Sequence, residues 1–145
     1  LSTIFNSNGF MPLYLLKETR ATNENPPMSV SLEQLRTTIV AALEEIKAKD
    51  IVILDVRELT AMTDTMIIAS ADSVRQTKAL ADNVVERVRA LGTKPVGTEG
   101  EQTGEWILLD FGDAIVHIMQ PAVRQYYDLE GLWGAVERQR KSAQV

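Results

Sequence analysis

The chain has no cysteine and only one histidine, His117, among its 145 residues. The lack of cysteine excludes disulfide bonds, thiolate zinc sites and thiol catalysis, and it is compatible with the cytosol. A catalytic histidine needs a nucleophile or metal partners, and no second histidine is present to share a metal. No run of about 18 apolar residues occurs, so we expect no membrane-spanning helix.

Positive charge is also scarce. Lysine and arginine number 15 against 20 aspartates and glutamates, which gives a formal net charge of −5. Phosphate contacts need many lysines and arginines, so this balance disfavours general nucleic-acid binding. An acidic domain is better suited to a basic protein partner.

Between residues 95 and 123 the sequence has no lysine or arginine at all. The same stretch contains five acidic residues, and four aromatic residues lie within or just after it: Glu99, Glu101, Glu105, Asp110, Asp113 and Trp106, Tyr126, Tyr127, Trp133. Two interpretations remain open. The acids form a solvated loop beside ordinary core aromatics, or they form a protein-docking surface with aromatic anchors for a basic partner.

The length suits one compact domain. We expect residues 1–28 to be a leader that is disordered or loosely packed, and residues 29–140 to form a single domain. The start has no basic region before its apolar patch and no clear cleavage site, so a signal peptide is not expected. An organellar transit segment is not favoured, because such segments avoid acids and favour arginine.

Two helices are predicted by their caps and spacing. Ser31, with Gln34 three places later, is a capping box for a helix that we expect to end at Asp50. Ser73 caps a second helix, and Gly92 ends it. The two apolar stripes are Leu32, Leu35, Ile39, Leu43, Ile46 and Thr77, Leu80, Ala81, Val84, Val88, Leu91.

The strands follow from apolar runs. Residues 51–56 form a β-branched run, typical of a strand covered on both faces, and residues 66–70 form another. "KPVG" predicts a short strand, and residues 105–110 and 113–120 predict two more. Pro121 stops the last strand, and a short helical turn with a C-terminal helix follows. Strands separated by helices predict an α/β fold with parallel members in the sheet.

Asp110-Phe111-Gly112 matches the tripeptide that holds magnesium in protein kinases. The Gly-rich phosphate loop, the strand lysine and the catalytic loop of a kinase are absent. "LLDFGDAIV" instead predicts a β-hairpin with aspartate and glycine in its turn. A two-residue turn would pair Trp106 with His117. A three-residue turn, which we favour, would pair Glu105 with His117. This turn does not require Phe111 to adopt a positive φ.

Asp110 and Asp113 flank this turn and suggest an alternative function. Close pairs of acids bind magnesium in nucleotidyl transfer. Such acids usually lie one residue apart on one strand, whereas this pair straddles a bend, and no Gly-Ser phosphate loop is present. A nucleotidyltransferase-like enzyme using Asp110 and Asp113 is therefore the secondary hypothesis.

Four segments resemble the ribosomal silencing factor family, also called the Iojap-like family. They are "TDTMIIAS", "VRQTKALADNVVE", "GEWILLDFGDAIVHIMQP" and "VRQYYDLEGLW". They occur in the order found in that family, and the similarity extends from about residue 31 to residue 133. The family's Gly-Glu-Trp strand, Asp-x-Gly-Asp turn and Tyr-Tyr/Phe-Asp-Leu-Glu segment are all present.

The resemblance implies an α/β fold with a mixed, mainly five-stranded sheet flanked by helices. This fold is similar to a nucleotidyltransferase core without catalytic groups, so no enzymatic activity, cofactor or metal is expected. The family binds the large ribosomal subunit through its protein number fourteen and prevents the small subunit from joining. This binding lowers translation when nutrients are short, and organellar relatives act in large-subunit assembly.

Net charge agrees with such a partner, because ribosomal proteins are basic whereas ribosomal RNA would repel this domain. We expect little direct RNA contact, cytoplasmic localisation and a possible homodimer. The predicted partner-binding surface comprises ten residues: Glu99, Glu105, Trp106, Asp110, His117, Arg124, Tyr126, Tyr127, Asp128 and Trp133.

Overall fold

The computed structural model describes residues 30–134. The predicted leader, residues 1–28, and the end of the predicted domain, residues 135–140, lie outside this range. The elements in chain order are α1 (Leu32–Glu45), β1 (Lys49–Asp55), β2 (Thr65–Ser70), α2 (Val74–Arg89), β3 (Gly97–Glu99), β4 (Trp106–Asp110), β5 (Ala114–Met119) and α3 (Pro121–Tyr127). Residues 129–134 are also helical.

Both predicted helix caps are present. The Ser31 side chain accepts from the Gln34 backbone N–H, and the Gln34 side chain accepts from the Ser31 N–H, which completes the capping box. Ser73 caps α2 in the same way, and Gly92 has a φ of 93° just after that helix. Each cap satisfies backbone groups that the first or last helical turn leaves unpaired.

The predicted end of α1 at Asp50 was wrong. The helix ends at Glu45, and Lys47 turns the chain with a φ of 61°. Asp50 already belongs to β1. The turn begins where the Lys47 N–H donates to the Glu44 carbonyl, a local bond that sequence spacing does not reveal.

The five strands form one sheet in the order β1-β2-β5-β4-β3. Only β2 and β5 are parallel, and they lie at the centre; the other three pairings are antiparallel. The expectation of an α/β fold with a mixed five-stranded sheet is confirmed. The central strands β2 and β5 are buried along their whole length.

Helices α1 and α2 cover one face of the sheet. Their predicted stripes pack onto alternate strand residues in one apolar cluster, which includes Leu35, Ile39, Leu43, Leu80, Val84, Val88 and, from the sheet, Ile67, Ile107, Val116, Ile118. The Asn83 amide donates to the Ala42 carbonyl at 2.8 Å, and Arg87 pairs with Glu45. These bonds fix α2 against α1.

The opposite face of the sheet carries α3 and the terminal helical segment. A second cluster forms there from Val56, Met66, Ile68, Trp106, Met119 and Leu129, with Tyr127 and Trp133 packed against it. Because side chains alternate between faces along a strand, Trp106 points to this side while Ile107 points to α1 and α2.

Two strand predictions need correction. Strand β1 is not covered on both faces, because it is one of the two edge strands of the sheet and each of its residues is exposed or half-buried. The third strand lies at Gly97–Glu99, not over residues 94–97. An apolar run of β-branched residues does not distinguish an edge strand from a central one.

The β4–β5 hairpin forms as predicted, but both predicted registers were wrong. His117 lies opposite Leu108, and Trp106 lies opposite Met119. The Phe111 N–H donates to the Ala114 carbonyl, so the loop is Gly112-Asp113. Gly112 has a φ of 85°, and the Asp113 N–H donates back to the Phe111 carbonyl, which forms a γ-turn around the glycine.

Candidate protein-docking surface

The ten predicted surface residues fall into three environments. Trp106 and His117 are buried. Glu105, Tyr126 and Asp128 are exposed. The remaining five are half-buried: Glu99, Asp110, Arg124, Tyr127 and Trp133.

Trp106 and His117 form a buried pair beneath α3. Trp106 is 1% exposed and His117 is 0% exposed, and the Trp106 Nε1–H donates to His117 Nδ1 at 2.9 Å. The expectation that these two side chains face a partner is therefore corrected. Trp106 lies on the face of the sheet that α3 and the terminal helical segment cover, and His117 is hydrogen-bonded to it there, so neither side chain reaches the surface.

The protonation state of His117 follows from its burial. Desolvation lowers its pKa from 6.5 to about 3, so the imidazole is neutral near pH 7. Because Nδ1 accepts the tryptophan proton, the ring's own proton must be on Nε2, an atom with no hydrogen-bond partner in the described structure. Within residues 30–134, the pairing of His117 with Glu105 that the favoured register predicted is not found, and His117 instead accepts from Trp106.

An aromatic chain connects this buried pair to the surface. The rings of Trp106 and Tyr127 are 5.2 Å apart, and those of Tyr127 and Tyr126 are 4.8 Å apart in an edge-to-face arrangement. Tyr126 is 80% exposed at the outer end. The interior rings therefore support an exposed tyrosine, and the sequence pattern "QYYD" gave no indication of which tyrosine faces out.

Arg124 fastens α3 to the sheet. Its Nε donates to Glu130 at 2.6 Å, and its Nη1 donates to the Ser70 hydroxyl at 2.8 Å. Only 11% of its side chain is exposed. Arg124 thus positions α3, and it offers little charge to an outside partner.

Asp128 joins α3 to the next helical segment. It adopts a left-handed conformation with a φ of 45° at the C-terminal end of α3. Its carboxylate accepts from the Gly131 N–H, and a Cβ on Gly131 would lie 2.1 Å from that carboxylate. Asp128 is therefore both a cap and an exposed acid.

Glu105 lies beside the beginning of α3. Its carbonyl accepts from the Gln120 N–H at 3.0 Å, and Gln120 precedes the helix. Since α3 has seven residues and is about 10 Å long, the backbone of Glu105 at its start and that of Asp128 at its end are about one helix length apart. We call Glu105, Tyr126 and Asp128 the α3 surface.

Glu99 and Asp110 lie away from the α3 surface. Asp110 is at the hairpin end of β4, so its Cα is about 17 Å along the strand from that of Glu105. Its carboxylate accepts from the Gly112 N–H at 2.8 Å and stabilises the turn. Glu99 is on the edge strand β3, opposite Leu108, and burial raises the pKa of its carboxyl group.

Sequence reasoning missed one exposed apolar side chain near α3. Leu132 is 46% exposed in the terminal helical segment, whereas Leu129 is 2% exposed. Because the two leucines are three residues apart, both lie near one helix face. Helical periodicity alone therefore gave no signal that Leu132 remains in solvent.

Residues 30–134 lack the features of a metal site and of a membrane-spanning helix. No group of three histidine, cysteine, aspartate or glutamate residues in that range is placed to hold a metal ion. None of the helices described there is both long and apolar enough to cross a membrane.

Comparison with known families identifies the chain. Residues 29–145 match the family model described as "Ribosomal silencing factor during starvation".

The chain belongs to the ribosomal silencing factor family.

This is a family of regulatory proteins rather than enzymes, as the resemblance implied. A ribosomal silencing factor of Chromobacterium violaceum is 48% identical over 105 residues, which cover 72% of this chain and 86% of the relative. A crystal structure of a protein from the same organism superposes with a TM-score of 0.71 at 48% identity, over 72% of this chain and 88% of that one.

The family also has organellar members. A mouse protein named for mitochondrial assembly of the ribosomal large subunit is 32% identical over 98 residues, or 66% of this chain and 43% of that protein. The chloroplast protein Iojap of Zea mays is 38% identical over 100 residues, or 67% of this chain and 42% of that protein. These relatives link the ribosomal silencing factors to ribosome biogenesis.

Proposed function

We propose that this protein binds the large ribosomal subunit through its basic protein number fourteen and prevents the small subunit from joining, thereby repressing translation. The bound protein acts by occupying space at the subunit interface, with little direct contact to RNA. The site of action is the cytoplasm. A role in large-subunit assembly uses the same docking, and organellar relatives named for that process support it.

The observation that carries this proposal is the exposure of Tyr126. Its side chain is 80% exposed, and its ring contacts Tyr127, which in turn contacts Trp106. Exposed aromatic side chains of this kind are typical of binding hot spots. Glu105 and Asp128 are exposed acids near the two ends of the same helix. A basic protein surface is the partner that complements this arrangement.

The proposed binding surface therefore centres on the α3 surface. Tyr127 and Arg124 support it from below, and Trp133 packs against the same cluster as Tyr127. Glu99 and Asp110 remain proposed as acids that steer the partner from a distance.

The test is a Tyr126→Ala variant in co-sedimentation with purified large subunits. We expect binding to weaken at least tenfold, about 1.4 kcal/mol. Stability should change by less than about 1 kcal/mol, since the ring is mostly in solvent. The matched control is Gln125→Ala, an exposed neighbour on α3, which should bind as wild type does.

The same two variants test the inhibitory step. Large subunits preincubated with wild-type protein should fail to join small subunits in a sucrose gradient, and Tyr126→Ala should restore joining. Equal binding by Tyr126→Ala and wild type would refute the α3 surface. Normal joining in the presence of saturating wild-type protein would refute the function itself.

A homodimer formed through the α3 surface is part of the same proposal. Exposed aromatic surface suited to one partner can pair with itself when that partner is absent. Sedimentation velocity should then show a dimer for wild type that Tyr126→Ala weakens.

A further inference from the structure

A groove lies between α2 and the edge strand β3, away from the α3 surface. It has a volume of about 640 Å³, and its walls include Asp82, Val85, Glu86 and Arg89 from α2 and Thr98 and Glu101 from the β3 side. Thr98 is paired with Leu109, which packs in the cluster under α1 and α2. The groove is therefore on the helix-covered face, and α3 is on the other.

Strand β3 offers a free sheet edge to this groove. Within residues 30–134 it pairs with β4 alone and is the last strand of the sheet. An edge strand directs alternate backbone N–H and C=O groups outward, where they can pair with an added strand. Gly97 and Thr98 are exposed, and Val96 just before them is 76% exposed, so this edge is open to solvent.

The charge of the groove indicates which sign of charge a bound segment should carry. Three carboxylates, those of Asp82, Glu86 and Glu101, line it against one guanidinium, that of Arg89. Glu101 accepts from the Thr98 hydroxyl at 2.5 Å, which holds one of these acids at the strand. A cationic segment fits this balance, whereas an RNA strand or a second copy of this acidic chain would be repelled.

The spacing of the acids matches an extended chain. Asp82 and Glu86 are four residues apart on α2 and so project from one helix face about 6 Å apart along its axis. On an added strand, residues i and i+2 share a face and are about 6.7 Å apart. On an added strand that runs along α2, cations at alternate positions would therefore meet the two carboxylates in turn.

We propose that this groove binds an extended, basic segment of a partner protein, which adds to the sheet beside β3 and directs lysine or arginine at alternate positions toward Asp82 and Glu86. The apolar side chain of Val85 lies between these acids and contacts the aliphatic part of the bound cations. This second docking site does not depend on the α3 surface.

The test uses the full 145-residue chain, labelled with ¹⁵N, and a peptide of about ten residues in which lysine and threonine alternate. We expect the peptide to shift the amide resonances of residues 82–89 and 96–101. A peptide with glutamate in place of lysine should produce no shift. Raising the salt from about 50 to 300 mM should weaken the binding, since exposed charges are screened.

Charge reversal then separates site binding from general attraction. Asp82→Lys combined with Glu86→Lys should raise the peptide's Kd at least about tenfold. Glu44→Lys, at an exposed position on α1, should leave it within about twofold. The peptide does not require ribosomes, so this result is independent of the large-subunit assay.

Each other outcome overturns the proposal. Shifts confined to residues 105 and 120–132 would place the peptide on the α3 surface instead. An equal loss for Glu44→Lys would show attraction to net charge only. Shifts at residues 96–99 that depend on protein concentration without peptide would assign the groove to a second copy. Contacts in the free protein between residues 96–99 and residues 135–145 would assign it to this chain's own C-terminal segment.

Discussion

At the scale of single residues, His117 is held in one protonation state by its surroundings. It is fully buried, its Nδ1 accepts from Trp106, and desolvation lowers its pKa to about 3. It accepts the hydrogen bond of Trp106, whose ring contacts Tyr127 and, through it, the exposed Tyr126. A histidine that shapes a surface from inside is consistent with docking and not with proton transfer.

This burial predicts an imidazole that does not titrate in the physiological range. His117 is the only histidine of the chain, so its ring resonances are unambiguous in a proton NMR titration. We expect them to stay constant from pH 8 down to pH 5, because the pKa lies near 3. The unfolded chain in urea is the control and should titrate near pH 6.5. A midpoint near 6.5 in the folded protein would contradict the burial.

The same shift makes stability depend on pH. The unfolded chain takes up a proton near pH 6.5 and the folded chain only near 3, so the free energy of unfolding falls as the pH decreases between these values. The slope from this one group is at most about 1.4 kcal/mol per pH unit. In His117→Asn, whose amide oxygen can accept from Trp106, this part of the slope should vanish in urea denaturation.

At the scale of the elements, α3 is attached to the sheet at a few points. Arg124 reaches Ser70 and Glu130, Tyr127 packs on Trp106, and the Gln120 N–H donates to the Glu105 carbonyl. No residue of α3 itself is fully buried. Because a short helix has little stability of its own, these contacts decide whether the α3 surface is presented.

Loss of the Arg124 hydrogen bonds should therefore increase the local opening of α3 without unfolding the whole domain. For Arg124→Met we expect a loss of about 1–3 kcal/mol and faster hydrogen exchange at residues 121–132. Binding to the large subunit should weaken as the protection of these amides against hydrogen exchange is lost. Arg75→Met is the control, since Arg75 is exposed on α2. Unchanged exchange in α3 would show that Arg124 does not hold it.

The glycine before β4 sets how closely that strand approaches α2. Gly104 has a φ of 73°, and an added Cβ would lie 2.6 Å from a Val74 methyl group. Gly104→Ala should cost about 2–4 kcal/mol from backbone strain and overpacking. Gly97→Ala, where nothing lies within 4 Å, should change stability by about 0.5 kcal/mol or less. Equal urea midpoints for the two variants would refute this account.

Sequence predicted some elements well and others poorly, for physical reasons. Helices α1 and α2 were predictable because Ser31 and Ser73 cap them and their apolar stripes have helical spacing. The hairpin register was not predictable, because turns that differ by one residue are all compatible with the sequence "DFGD". The Asp110 carboxylate, which accepts from the Gly112 N–H, belongs to the turn that forms.

The candidate site was predictable in part. Composition and resemblance predicted a docking surface that includes the region around α3, which stays a prediction, and they could not separate exposed from supporting side chains. Trp106 and Tyr126 are both large aromatics near acids, yet one is 1% and the other 80% exposed. That difference arises from strand alternation and from the placement of α3, both of which depend on the tertiary fold.

At the scale of the whole molecule, the net charge of −5 fits the proposed function. A ribosomal surface repels such a domain wherever RNA is exposed and attracts it wherever a basic protein is exposed. Under that proposal, affinity for the protein target comes from Tyr126, and the choice of target and the association rate come from charge.

Charge reversal on the α3 surface should therefore act chiefly through salt-dependent association. For Glu105→Lys we expect slower binding to the large subunit at about 50 mM salt, by tenfold or more, with the difference from wild type narrowing at about 300 mM. Glu44→Lys makes the same change in net charge on α1. The association rate is measured by stopped-flow fluorescence. If only net charge matters, both variants should associate equally slowly. Docking through α3 requires that Glu105→Lys alone lose most of its association rate.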